Sequence, residues 1–208
     1  MNDGEDKKRI LDLAGIKFME SGITKVTLDE VANELRMSKK TVYKFFPSKD
    51  DLLSAVVRLM LSNVEREVSI IVNASEPFEQ KMTKLLALIG RLVRRIGKQF
   101  QVDVQRFAPS LWKEIETFRR ERIFVQIKKM FQLAKDENIF RSDLDVDLFY
   151  LVFINTAQGI MNPKTLSENS FSAEDAFRGI IRIMYEGALT DAAKQRIHLF
   201  ETTLEPTL

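Results

Sequence analysis

Apolar residues along this 208-residue chain recur at helical spacing, and no stretch alternates apolar with polar side chains for long enough to make a strand. Ile10, Leu13, Ala14 and Phe18 form one stripe, Leu28, Val31, Ala32 and Leu35 a second, and Phe177, Ile180, Ile181 and Met184 a third. Residues that interrupt helices are scarce. The chain has eight Gly and five Pro, about half the usual share of roughly 12%. The pattern specifies an all-α chain, long enough for one large or two small domains around a sizeable core.

Helix ends are marked locally. Gly22 closes the first stripe as a left-handed C-terminal cap. Thr27-Leu28-Asp29-Glu30 is a capping box, in which the hydroxyl takes one orphan amide and the Glu reaches back to another. Ser38 caps a helix of barely two turns that Pro47 stops, and Ser48 opens a long helix over residues 49–73. Ser75 and Pro77 start a helix to about residue 97, a short one follows near 100–107, and Pro109 begins a long one to about 136. Asp145 caps a helix to about 161 that Asn162-Pro163 ends, Ser172 opens the next, and a last short helix covers 190–200, with 201–208 frayed. The division is a small helical module over 1–48 and a larger helical region over 49–208.

Several chemistries are excluded. With no Cys there is no disulfide, thiolate nucleophile or Cys-ligated metal, and the single His198 has no evident partner, reading as a surface or packing residue. Asp143, Asp145 and Asp147 imitate the start of a calcium loop, but Leu148 stands where Gly is needed and Ile154 where a bidentate Glu is needed. No phosphate-binding loop or dinucleotide fingerprint occurs. No catalytic constellation, metal or cofactor is expected. Asp3, Glu5 and Asp6 make the N-terminus unlike a signal peptide. The longest apolar run, Leu148 to Ile154, has seven residues, against about 20 for a membrane span. The expectation is a cytoplasmic protein with no membrane partner.

The net charge is only +2, but its distribution is uneven. Between Arg36 and Lys49 lie Arg36, Lys39, Lys40, Lys44 and Lys49 with no acid, interleaved with Ser38, Thr41 and Tyr43. Cations that release counterions and hydroxyls that donate to phosphate oxygens make a surface suited to nucleic acid. Two short helices joined by a three- to four-residue turn make a helix-turn-helix, whose second helix enters the major groove. Lys39 and Lys40 at its start are placed to donate to guanine O6 and N7. A solvated basic face is the alternative reading of the charge alone.

The run from Thr27 to Leu53, with Val31-Ala32, Ser38 before the next helix, Thr41-Val42-Tyr43-Lys44-Phe45-Phe46 and Ser48-Lys49-Asp50, closely resembles the DNA-binding domain of the TetR/AcrR family of transcriptional regulators. The resemblance covers about 50 residues; beyond it the chain is similar only in length and helical rhythm. It implies an N-terminal three-helix helix-turn-helix domain followed by a larger helical ligand-binding and dimerisation domain. It also implies that Thr27, Tyr43, Lys44 and Lys49 contact phosphates while Ser38, Lys39, Lys40 and Thr41 face the groove. Val31, Ala32, Val42 and Phe45 fall to the core of the module. Two positions depart from the family pattern. Arg36 stands where the family often has Gly, so either the turn carries a positive φ, costly for Arg, or it closes differently. Lys40 stands where a small residue is common.

The run Leu148 to Ile154 is apolar all round, so either its helix is central to its own subunit or a second chain covers it. The resemblance implies a homodimer built from the last two large helices, which places Phe149, Val152, Phe153, Phe177, Ile180, Ile181 and Met184 at the interface. Phe100, Phe107, Trp112, Phe118 and Tyr150 are candidates to enclose an apolar cavity, with Gln105, Arg106, Asn155 and Gln158 to orient a ligand, the alternative being plain core. The function so implied is a ligand-responsive regulator, a repressor, that binds a roughly palindromic site on double-stranded DNA as a homodimer and is released by a small-molecule effector. The alternative is a helical protein–protein adaptor that retains the helix-turn-helix.

Overall fold

The computed structural model describes residues 3–96, 98–160 and 163–196. The fold is all-α: α1 (Asp3–Ser21), α2 (Leu28–Glu34), α3 (Lys39–Phe45), α4 (Lys49–Asn73), α5 (Phe78–Arg95), α6 (Lys98–Phe107), α7 (Pro109–Phe118), α8 (Phe124–Asp136), α9 (Val146–Ile160), α10 (Pro163–Glu168), α11 (Ala173–Ala188) and α12 (Asp191–Arg196). Among the described residues the one β pairing is an isolated antiparallel bridge between Phe140 and Leu189. His198 lies outside the described residues.

Local chemistry sets the helix ends. Gly22 has φ +83°, and its amide donates to the Phe18 carbonyl at 3.0 Å, closing α1. Both halves of the Thr27–Glu30 capping box form at the start of α2, and Ser172 with Asp175 repeats it at α11. The long helix expected from Pro109 to about 136 is interrupted by a π-helical turn over Arg119–Ile123. Four consecutive charged residues, Arg119 to Arg122, give the buried face no apolar side chain, and the wider winding returns Ile123 to a buried position. α9 ends at Ile160, ahead of the expected stop at Asn162-Pro163, and Pro163 also occupies the first position of α10, where its missing N–H is harmless.

The described residues fall into two compact units: Met1–Val64 with Arg95–Phe118, and Glu65–Arg94 with Arg119–Leu208. The core of the first joins Ile10, Ala14 and Phe18 of α1 to Val31 and Ala32 of α2, Val42 of α3, Leu52 and Val57 of α4, and Phe100 and Val104 of α6. Each large apolar side chain buried there contributes about 1.5–3 kcal/mol. The second unit is organised around rings. Phe78, Phe131, Phe140, Phe149 and Tyr185 meet at centroid distances of 5.1–6.4 Å, mostly edge to face. Tyr185 is fully buried, and burial pushes its phenol well above the usual tyrosine range.

Within the first unit a polar group ties α6 to the corner between α1 and α2. Asp103 is 1% exposed. Its Oδ2 accepts from the amides of Ile23 at 2.7 Å and Thr24 at 3.2 Å, and Oδ1 accepts from Gln99 Nε2 at 2.6 Å. A Cβ on Gly22 would lie 2.6 Å from that same Oδ2. Gly22→Ala therefore combines a left-handed backbone with displacement of the carboxylate, and should lower stability by about 2–4 kcal/mol. Asp103→Ala leaves the same amides without an acceptor and should cost a similar amount. Asp103→Asn should cost only about 1 kcal/mol, because the Gln99 amide can rotate to accept from the new NH2. Thermal melts of the three variants check this order.

Candidate nucleic-acid interface

The helix-turn-helix is α2, the turn Leu35–Ser38 and α3. One face of each helix is apolar: Val31, Ala32 and Val42 are fully buried, and Phe46 is nearly so. Phe45, assigned from the sequence to the core of the module, is half-buried and packs against the rim of that core. The burial of Val42 turns the rest of α3 outward, so Ser38, Lys39, Lys40, Tyr43 and Lys44 are exposed and Thr41 is half-buried. Tyr43 is 45% exposed, large for an aromatic side chain. Thr27 sits exposed at the start of α2, and Lys49, half-buried, begins α4.

The turn is closed by backbone bonds from Met37 to the Ala32 carbonyl at 2.9 Å and from Arg36 to the Asn33 carbonyl at 3.1 Å. Arg36 has φ +56°. The turn thus takes the left-handed conformation, with Arg in place of a residue free of Cβ strain.

The hydroxyls have two uses. Thr27 Oγ1 accepts from the Glu30 amide at 3.1 Å, and Ser38 Oγ accepts from the Thr41 amide at 3.0 Å. Thr27 keeps its own proton for a phosphate oxygen, which is favoured at the positive end of a helix, whereas Ser38 Oγ also shares a 2.8 Å hydrogen bond with Thr41 Oγ1. At Thr27 capping and phosphate contact are compatible.

The lysines differ in what holds them. Lys39 Nζ donates to Asp29 Oδ2 of α2 at 2.5 Å, and this bond raises its pKa above the usual lysine value. Lys44 Nζ donates to Asp3 Oδ2 of α1 at 2.7 Å and lies 5.2 Å from the centre of the Phe45 ring. Lys49 Nζ donates to the Thr24 carbonyl at 3.4 Å. Lys40 has no ion pair among the described residues. Two further bonds brace the module on α1: Lys17 to Glu34 at 2.6 Å, which raises the Lys17 pKa, and an Arg9 guanidinium to the Leu35 carbonyl at 3.5 Å. The partners Asp29 and Asp3, like Asp103, were not singled out from the sequence; for Asp103 the available signal was an acid on the stripe of Phe100 and Val104.

The side chains considered for a ligand cavity are dispersed. Phe100 is buried in the first core, and Trp112 and Phe118 pack at its rim. Gln105 is exposed, and Arg106 stacks on an exposed Phe107 with 5.2 Å to the ring centre. Tyr150 is half-buried beside the Lys128 ammonium, Asn155 donates back to the Leu151 carbonyl at 2.7 Å, and the Gln158 side chain lies outside the described residues. Of the side chains considered for a subunit interface, Phe149, Phe153, Phe177, Ile180 and Ile181 are buried, Met184 is half-buried and Val152 is exposed. The exposed apolar side chains on the same helices are Leu148, Leu151, Val152 and Ile183.

The family model for bacterial regulatory proteins of the tetR family matches residues 10–56. The HTH-type transcriptional regulator YvaF of Bacillus subtilis is 20% identical over 185 residues, 88% of this chain and 96% of that protein. The HTH-type transcriptional repressor KstR2 of Mycobacterium tuberculosis is 25% identical over 145 residues, 68% of this chain and 72% of its own. The solved KstR2 structure, titled a ketosteroid transcriptional regulator, shares the fold with a TM-score of 0.58 at 18% identity, over 89% of this chain and 95% of that one. A protein of Saccharomonospora viridis solved in complex with choline has a TM-score of 0.69 at 18% identity, over 90% and 99% of the two chains.

Because Arg36 pays for its left-handed φ, Arg36→Gly should raise stability by about 0.5–1 kcal/mol, the relief of Cβ strain exceeding the added freedom of the unfolded chain. A rise of a few degrees in the melting temperature is the expected result.

Proposed function

From a chain whose N-terminal module and helical fold are those of the TetR family of bacterial regulatory proteins, we propose a homodimeric, effector-released repressor. Residues 1–48 serve as its DNA-binding domain and 49–208 as its regulatory and dimerisation domain. The observation that carries the reading is α3 itself: a short helix with no acid, buried only through Val42, that turns Ser38, Lys39, Lys40, Tyr43 and Lys44 to solvent. A helix of that size fits the major groove, with its first residues at base edges and its flanks at phosphates.

In this reading Thr27, Tyr43, Lys44 and Lys49 hold phosphates, and Ser38, Lys39, Lys40 and Thr41 face the groove. Repression is supported by the likeness to KstR2, whose name describes a repressor. A small-molecule effector is supported by relatives described as a ketosteroid regulator and as a choline complex; which molecule acts here is a separate matter. Release requires that the effector bind one arrangement of the two DNA-binding modules more tightly than the other.

Dimerisation is supported by the surface of α9 and α11, which pack together. Leu148, Leu151 and Val152 recur at i, i+3 and i+4 on α9 and are 46–59% exposed, and Ile183 on α11 is 75% exposed. This stripe, rather than the buried Phe149, Phe153, Phe177, Ile180 and Ile181, is the surface a second copy would cover. A twofold pair presents two α3 helices to adjacent turns of the groove and calls for a roughly palindromic site.

Three outcomes are expected. Purified protein should enrich a palindromic site from fragments of the source genome at both low and physiological salt. Lys44→Ala should weaken binding to all duplexes alike and make the salt slope shallower by about one counterion, whereas Lys40→Ala should reduce discrimination among sequences. Leu151→Asp with Ile183→Asp should convert a dimer to a folded monomer by sedimentation and abolish tight binding to the palindrome. A wild-type protein that enriches no site at either salt overturns the reading.

A further inference from the structure

The charges that flank α3 suggest how the module separates its own site from other DNA, and the argument rests on the DNA-binding reading above. Two of the three lysines on α3 are already engaged by carboxylates from other helices: Lys39 by Asp29 of α2 at 2.5 Å, and Lys44 by Asp3 of α1 at 2.7 Å. Lys40, between them, has no carboxylate partner among the described residues. The backbone that carries Asp29 is held in place: the residue occupies the second position of α2, whose start is clamped by the capping box. Its Oδ1 is buried with no hydrogen-bond partner, so the whole of its acceptor capacity available to Nζ is at Oδ2. Lys39 is also the first residue of α3, where a cation is disfavoured by the helix dipole, and the carboxylate offsets that.

We infer that Asp29 is a specificity-determining residue, which neutralises the Lys39 ammonium toward phosphates while leaving it N–H donors for a base edge. A cation already paired with a carboxylate releases fewer counterions on meeting a phosphate, and the carboxylate itself repels the backbone. Both effects weaken binding to every duplex. The paired ammonium keeps two further N–H donors, and guanine N7 and O6 are uncharged acceptors that lose less from the neutralisation than a phosphate does. The penalty therefore falls mainly on non-cognate DNA. Asp3 opposes Lys44, a phosphate-facing lysine, so its effect is on affinity for all sequences and not on their ratio.

The test compares the full-length wild type with Asp29→Asn, Asp3→Asn and the pair Asp29→Asn with Lys39→Gln. Each is titrated with the palindromic duplex that the wild type enriches and with a scrambled duplex of equal length, across a salt series. Asn keeps the shape of the side chain and leaves the Thr27–Glu30 box intact, and a thermal melt checks that each variant is folded. For Asp29→Asn, scrambled-duplex binding should tighten by about three- to tenfold, with a slope of log K against log salt steeper by about 0.9. Binding to the palindrome should change less, so the specificity ratio falls. In the Lys39→Gln background Asp29→Asn should leave the specificity ratio unchanged, because only the repulsion felt by every duplex alike remains to be relieved. Asp3→Asn should tighten both duplexes equally. An unchanged or increased ratio for Asp29→Asn, or a fall in the ratio that persists without Lys39, overturns the inference while leaving the DNA-binding reading intact. A wild type that binds neither duplex in a salt-dependent way overturns both.

Discussion

The arrangement of the first unit depends on one buried carboxylate. Asp103 lies in α6, eighty positions from the amide of Ile23 that it accepts, and among the described residues it is held by three N–H donors without an ion pair. An acid in such a place is very costly unless its oxygens are satisfied, so the three bonds are obligatory and their geometry is narrow. Gly22 is the complement. Only a residue without Cβ leaves room for Oδ2 to reach past it, and only such a residue takes φ +83° without strain. The corner that follows α1 is fixed by a pair of positions, one acidic and one without a side chain, that have no meaning separately. Lys49 extends the link, because its ammonium donates to the carbonyl of the same Thr24 whose amide Asp103 accepts. The starts of α2 and α4 and the body of α6 thus converge on one short segment of backbone.

With that corner set, the position of α3 follows from burial. Val31, Ala32 and Val42 leave one way for the two short helices to pack on α1, and the polar side of α3 is what remains. A helix of seven residues is far below the length that is stable alone, so its persistence comes from the packing of Val42 and Phe46 and from the Ser38 cap. The left-handed Arg36 belongs to the same economy. A glycine would close the turn with less strain, whereas Arg adds a cation beside α3 at the cost of a fraction of the module's stability. Strain of this kind is tolerated where a side chain serves a surface rather than the core.

Much of this was legible in the sequence because it is written locally. Gly22, the Thr27–Glu30 box, Ser38, Pro47 and Ser48 each act within four residues, and the helix ends they mark are those observed. Features that act over distance were not legible in the same way. The π-helical turn at Arg119–Ile123 depends on which side chains must return to a buried face. The carboxylates Asp3, Asp29 and Asp103 matter through partners 41, 10 and 80 positions away. The pattern of α9 and α11 showed that both are strongly apolar but not which side of each meets its own core. Phe149 and Phe153 do so, and Leu148, Leu151 and Val152 do not.

The ion pairs around α3 also show why stability and recognition have to be weighed separately. Lys39 and Asp29 are 62% and 43% exposed, and Lys44 and Asp3 are 59% and 64% exposed. Pairs so open to water contribute little to folding, because solvent screens them and ordering two side chains offsets the attraction. Their effect on a polyanion is of another order. A lysine without a partner contributes its full charge to the counterion balance on any duplex, and the contribution multiplies over the cations of both subunits in a dimer. A carboxylate placed 2.5 Å from one of those cations leaves the fold almost unchanged and alters the only energy that non-cognate DNA can offer. An interaction too weak to matter for the fold is therefore the one on which the proposed discrimination between DNA sequences turns.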